Sequence, residues 1–154
     1  MGADTMTQDY LVRDFMTSPA KSIARDARLL DAALTLRSTG FRHLPIVEGE
    51  RLVGIITDRD INRFTPSMLS KITPEEYNAI FENTPLERVM THNPLSVAPD
   101  TPLREAAAIL HVKKLGCLPV VENERLVGIV TVTDMLGALL RFLATPEPSP
   151  VAGR

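Results

Sequence analysis

Two threonine–aspartate pairs with the same spacing, Thr57 with Asp60 and Thr131 with Asp134, are where this sequence could do chemistry. They close two nearly identical stretches, RLVGIITDRD at 51–60 and RLVGIVTVTD at 125–134. In each, an apolar run that reads as a strand ends at the threonine, and a helix is expected to begin near the aspartate. Unpaired N–H groups at a helix start attract anions, and phosphate is their usual guest. A threonine hydroxyl there can donate to a phosphate oxygen, and Arg59 can add a charge-assisted contact. The aspartate would repel phosphate. It suits two neighbouring sugar hydroxyls instead, so Thr-x-x-Asp fits a nucleoside phosphate. The plainer reading is an N-cap, worth about 1 kcal/mol, and for one isolated T-x-x-D that reading is the stronger. Duplication behind a glycine-bearing strand weighs the other way, because the rest of the turn varies, TDRD against TVTD.

Other chemistry finds no seat. The sequence contains no CxxC, HExxH, GxSxG or GxxxxGK[ST]. His43, His92 and His111 are scattered. No catalytic residue and no metal ligand is assigned, and the chain is read as non-enzymatic. Its 17 Lys+Arg stand against 19 Asp+Glu, a net charge of −2, whereas general nucleic-acid affinity needs a basic surplus. No apolar run approaches the length of a membrane span, and the opening MGADTMTQDY lacks the apolar core of a signal peptide. The one cysteine, Cys117, cannot form an internal disulfide and fits a reducing compartment. The expected location is the cytoplasm, with neither a membrane nor a nucleic-acid partner.

The elements that must hold these pairs come from a repeat. Residues 16–64 laid over 90–138 keep an offset of 74 without a gap, and 21 of the 49 positions are identical. Copies of about 50 to 60 residues are at the lower limit for burying a core alone, so the two are expected to pack together. Aromatics are 5% with no Trp, so the core must be aliphatic. Each copy opens with a short apolar stretch, 22–24 or 96–98. A helix follows from Leu29 or Leu103, apolar at every third or fourth position. In the second copy Thr101-Pro102 reads as a capping hydroxyl before a first-turn proline. Two strands come next, HLPIV then RLVGIIT and CLPVV then RLVGIVT, joined by polar turns with Gly49 or Asn123 available for positive φ. Gly54 and Gly128 interrupt the second strands and mark close approach by another backbone or a ligand.

Between the copies, Thr73-Pro74-Glu75-Glu76 reads as a capping box starting a short helix over 74–81, and Thr84-Pro85 as the same device before Met90. Tyr77, Ile80 and Phe81 would give that helix an apolar face to cover a cleft, cap an edge or meet a second copy. The boundaries expected are 10–64 for the first repeat, 65–85 for the linker, 86–144 for the second repeat, and 145–154 for a Pro-rich disordered tail.

The MT dipeptides, an aspartate before the helix that carries the AA pair, and LPVV followed by RLVGIVT..D resemble the tandem CBS (cystathionine-β-synthase-type) domain pair. The resemblance covers 14–63 and 88–138, and GIITDRDI is its most specific segment. It implies an α/β (α+β) fold of two β-α-β-β-α repeats packed as a pseudo-two-fold pair, and modules that dimerise. It implies binding of an adenosine-containing ligand (AMP, ADP, ATP, NAD or S-adenosylmethionine) between the repeats, no obligatory cofactor, no catalysis, and an unknown effector protein that reads occupancy. Carried over, Asp60 and Asp134 would hold ribose, and Thr57 and Thr131 with Arg59 or Thr133 would meet phosphate. The base would lie between Ile23 or Val97 and Leu44-Pro45 or Leu118-Pro119, with His43 and Cys117 beside it. Cys117 also fits a small buried hydrophobe, and His43 a cleft edge. Arg42, His43, Arg59 and Arg63 would make the first site suited to several phosphates. Gly116, Cys117, Thr131 and Thr133 would make the second a less charged monophosphate site. The alternative is a ligand-free dimerisation or scaffold module whose T-x-x-D turns are only caps.

Overall fold

The computed structural model describes residues 10–65 and 71–144; the tail expected to be disordered, 145–154, lies outside the described residues. The duplicated apolar runs form hairpins. Strand β2 (His43–Glu48) pairs antiparallel with β3 (Arg51–Thr57), and β5 (Cys117–Glu122) with β6 (Arg125–Thr131). Two-residue turns close both, and such turns need left-handed backbone. Gly49 supplies it in the first at φ 63°, Asn123 and Glu124 in the second at 51° and 65°. The hairpins meet end to end, where Arg51 pairs with Arg125, giving one sheet in the order β1-β2-β3-β6-β5. Strand β1 (Ile23–Ala24) lies parallel to β2, and Val97 bridges Val120 in the equivalent place.

Helix α4 (Leu103–Lys113) buries Leu103, Ala106 and Leu110 as its spacing predicts; in α1 (Leu29–Thr39) the spacing of Leu29, Ala33 and Leu36 predicts the buried face, but Ala32 is the alanine fully buried with the two leucines and Ala33 is half-buried. Helices α2 (Asp58–Phe64) and α5 (Val132–Leu143) follow β3 and β6. The linker helix α3 (Pro74–Asn83) carries the expected capping box between Thr73 and Glu76. It packs on α1 and buries Phe81 in the first core.

Two caps differ from expectation. The Thr101 hydroxyl accepts from Ala98 N at 3.0 Å and tightens the turn before α4, leaving Pro102 as the N-cap. The Thr84 hydroxyl donates back to Ile80 O, and Pro85 precedes the 3-10 turn Leu86–Arg88. In both places the hydroxyl takes the nearest backbone partner, which competes with capping.

The cores cross between the repeats. The first gathers Leu29, Leu44, Ile46 and Ile56 of one copy with Phe81 of the linker helix and with Leu86 and Met90 from the segment that opens the other copy. The second gathers Leu110, Leu118, Val120 and Val130 with Val12 and Met16 from the opening of the first copy. The backbone crosses too. Thr17 and Ile129 exchange N–H···O bonds of 2.9 and 3.0 Å. Strand β4 (Thr91–His92) pairs Thr91 with Ile55 and His92 with Gly54. This accounts for the strand glycines. A Cβ at Gly128 would lie 2.8 Å from Thr17 O and from Met16 Sδ, and one at Gly54 would lie 2.6 Å from Met90 Sδ. The close approach is by the other repeat's MT segment.

Two outcomes are expected. Leu86→Ala should remove about 2–5 kcal/mol of stability, read from urea unfolding, and Gly128→Ala should also destabilise, through the clash with Thr17 O. The fragment 86–144, lacking Val12 and Met16, should give no cooperative thermal transition by circular dichroism; a sharp one would contradict the crossed cores.

Candidate functional site

The site residues sit where β3 and β6 turn into helices. Thr57 and Thr131 keep extended backbone, at φ −119° and −121°, and are the N-caps of α2 and α5. Both helices therefore start at the residue after the threonine, earlier than the sequence suggests, and Asp60 and Asp134 are third in the helix. Each pair closes a complete capping box. Thr57 N donates to Asp60 Oδ2 at 2.9 Å, and Asp60 N donates to Thr57 Oγ1 at 3.1 Å. Thr131 N donates to Asp134 Oδ2 at 2.8 Å, Thr131 Oγ1 donates to the same oxygen at 3.0 Å, and Asp134 N donates to Thr131 Oγ1 at 3.1 Å. Capping thus uses Oδ2 of each aspartate. Among the described residues, Oδ1 of each has no hydrogen bond, and both side chains are half-buried at the rim of a cleft.

Each cleft is built by both repeats. The first, about 700 Å³, joins Thr57, Arg59 and Asp60 to Thr91, Pro94 and Leu95 from the opening of the second copy. The second, about 860 Å³, joins Thr131, Thr133 and Asp134 to Thr17, Pro19 and Lys21 from the opening of the first. These volumes lie in the usual range for small-molecule sites. A third groove, about 760 Å³, is lined by Arg25, Arg28, Glu48 and Glu87. There Arg25 is paired with both glutamates and Arg28 with Asp31, so its cations are already engaged.

Of the residues expected to hold a base, Pro119 and Cys117 border the first cleft and His43 borders both. Ile23, Leu44, Pro45, Val97 and Leu118 line neither, a correction to the expected base pocket. Leu44, Pro45 and Leu118 are fully buried, Val97 belongs to the second core and Ile23 packs on the first. Their neighbours carry the apolar lining instead: Ile55, Leu95 and Leu115 in the first cleft, Ala20, Phe41, Ile129 and Leu136 in the second. Cys117 is also moved, since it faces the cleft of Asp60 and not that of its own copy's Asp134. It is 7% exposed, and burial pushes its thiol up to about 12, the behaviour of an inert hydrophobe.

The first cleft carries Arg42, Arg59, Arg63 and Lys114 against Asp58 and Asp60. The second carries Lys21 and Arg42 against Asp134, so it holds more positive charge than its own copy supplies. His43 is held below its ordinary 6.5, first by burial, with Asp58 and Asp60 opposing and Arg42 reinforcing, and is neutral at pH 7. Lys21, Phe41, Leu95 and Lys114 are cleft residues that motif reading passes over. For Lys21 and Leu95 the signal that could have found them is the MT segment they follow, whose place opposite a strand glycine is a cross-repeat contact.

Two N-capped threonine–aspartate turns facing mixed cationic and apolar clefts suit a small anion with a hydroxylated, partly apolar body. Among the described residues no three acidic, histidine or cysteine side chains group to hold a metal, and no helix is long and apolar enough to cross a membrane. Comparison with known proteins agrees with this architecture. The chain is 34% identical to a CBS domain-containing protein of Dictyostelium discoideum over 145 residues, 91% of this chain and 96% of that one. It is 32% identical to a protein of Methanocaldococcus jannaschii and spans 48% of it. Among solved structures, a protein of Vibrio cholerae named for acetoin utilization superposes with TM-score 0.71 at 32% identity, over 89% of this chain and 98% of that one. CBSX2 of Arabidopsis thaliana, solved with AMP, superposes with TM-score 0.74 at 28% identity, over 86% and 98%. A CBS domain pair solved with 5′-methylthioadenosine and S-adenosyl-L-methionine gives 0.69 at 29%, over 84% and 99%. The CBS domain model matches twice, at 12–66 and 86–141, and the chain belongs to that family as a tandem pair.

Proposed function

We propose that this chain is a non-catalytic regulatory module that binds an adenosine-containing ligand, AMP in particular, and passes occupancy to a partner protein as a readout of cellular energy state. The observation that carries this reading is the unused Oδ1 of Asp60 and Asp134 at the rims of two cross-repeat clefts. In the assignment proposed, Asp60 and Asp134 accept from ribose hydroxyls. Phosphate meets Thr57 with Arg59 and Thr131 with Thr133, and the base lies against the apolar lining with His43 at its edge. The first cleft, richer in cations, suits more than one phosphate, and the second, on the longer α5 dipole, suits one. The AMP complex of CBSX2 supports this ligand class. The repeat boundaries 10–64 and 86–144 with a linker at 65–85, and a cytoplasmic setting, are part of the same reading.

The route to a partner runs along α5. Leu136 lines the second cleft and begins an exposed apolar face with Leu139, Leu140 and Leu143. A face of that kind favours burial against another surface, and pairing of two copies through it would couple cleft and dimer. A second reading, a ligand-free dimerisation scaffold, is favoured by the completeness of both capping boxes.

Thermal shift with an adenine-nucleotide panel separates the two readings. AMP at 100 times its Kd should stabilise by about 2.7 kcal/mol for each cleft filled, and Asp60→Ala combined with Asp134→Ala should abolish most of the gain. The absence of any shift with every nucleotide would leave the scaffold. A second outcome concerns protons. His43 borders both clefts, so the negative charge of a nucleotide bound in either raises its pKa and draws in a proton. Affinity should therefore rise as pH falls through the window between its free and bound values. Calorimetry in two buffers of different ionisation enthalpy should register this uptake in the natural chain and not in His43→Gln; equal uptake in both would remove His43 from the phosphate's surroundings.

A further inference from the structure

The two clefts share a wall, and that wall is not symmetric. Where the first copy has Arg42-His43, the second has Gly116-Cys117. The backbone places the two pairs equivalently: Arg42 O accepts from Asp58 N at 3.2 Å, and Gly116 O accepts from Val132 N at 3.0 Å. A two-fold seam would therefore present two guanidinium groups, one to each cleft. Only one is present. The space for a side chain at 116 is taken by the ring of His43, whose Nε2 and Cε1 would collide with any Cβ there. Arg42 accordingly lines both clefts. Its side chain is exposed and, among the described residues, forms no ion pair.

We propose that Arg42 is one anion-binding side chain shared by both clefts, so that a phosphate held in one weakens the hold on a phosphate in the other. The proposal rests on the nucleotide-binding reading above and adds a regulation to it. A planar guanidinium makes its bidentate contact in one direction at a time. The first cleft has Arg59, Arg63 and Lys114 of its own, whereas the second has only Lys21 besides Arg42. The second cleft is thus the more dependent on Arg42 and the one that loses when both ligands are present. A symmetric pair would fill as two independent sites; this one fills in sequence.

The test is calorimetric titration of AMP into the full chain, into Asp60→Ala, which leaves the second cleft, and into Asp134→Ala, which leaves the first, each with and without Arg42→Ala. Loss of one charge-assisted contact should weaken binding roughly tenfold in both single-cleft backgrounds. In the natural chain the second step should be roughly tenfold weaker than binding to the second cleft alone in Asp60→Ala, and Arg42→Ala should abolish that difference. Weakening in only one background assigns Arg42 to one cleft and overturns the sharing, while leaving nucleotide binding intact. A second step in the natural chain as tight as binding to Asp60→Ala overturns the coupling. No binding by the natural chain overturns the nucleotide reading and this proposal together. If loss of a cap unfolds either aspartate variant, the amide shifts of Thr57 and Thr131 during titration of Arg42→Ala give the same cleft-resolved answer.

Discussion

Each repeat is completed by the other, and the rest of the structure depends on that exchange. A β-α-β-β-α unit of this length buries too little apolar surface to be stable alone. The opening segment of each copy, Val12 to Thr17 or Leu86 to Thr91, leaves its own sheet and fills the core of the other. The crossing is secured by backbone pairing over Gly128 and Gly54, where any larger residue would push the strands apart. A seam fixed by a buried Met90, a half-buried Met16 and backbone hydrogen bonds on both sides has little freedom to slide.

The clefts are a consequence of this exchange. Once Thr17 lies beside Ile129, the residues after it, Pro19 to Lys21, face the start of α5; on the other side Pro94 and Leu95 face the start of α2. The helix starts are already satisfied by their capping boxes, which decides how they can act. Each aspartate carboxylate is held by one backbone N–H, with a second bond from the Thr131 hydroxyl at Asp134, so that one carboxylate oxygen is engaged and one free. Capping and ligand binding need not compete for the same atom, and a preorganised acceptor loses little freedom when it is used.

Duplication has been followed by divergence where the two copies touch. The first copy placed Arg42-His43 at the seam and a short, charged helix, α2, beyond its aspartate. The second placed Gly116-Cys117 there and a longer helix, α5, with an apolar outer face. The small pair makes room for the large one, so the seam packs although it is not symmetric. More charge sits in the first cleft, and an exposed apolar helix face sits beside the second.

The repeat, its hairpins, its helices and its family were legible in the sequence, because they rest on local signals: apolar periodicity, turn residues, and two copies of one pattern in register. The threonine–aspartate turns were legible as candidates for the same reason. Their position within the helix was not, since whether the threonine or the aspartate is the cap depends on which backbone becomes extended. The lining of the clefts was decided by tertiary structure alone. Leu44 and Leu118 look like cleft residues because they adjoin His43 and Cys117 in the chain, but alternate strand residues face opposite ways and these two face the core. Lys21 and Lys114 reach the clefts only because each repeat crosses to the other, and nothing in a linear pattern records which copy a segment will pack against.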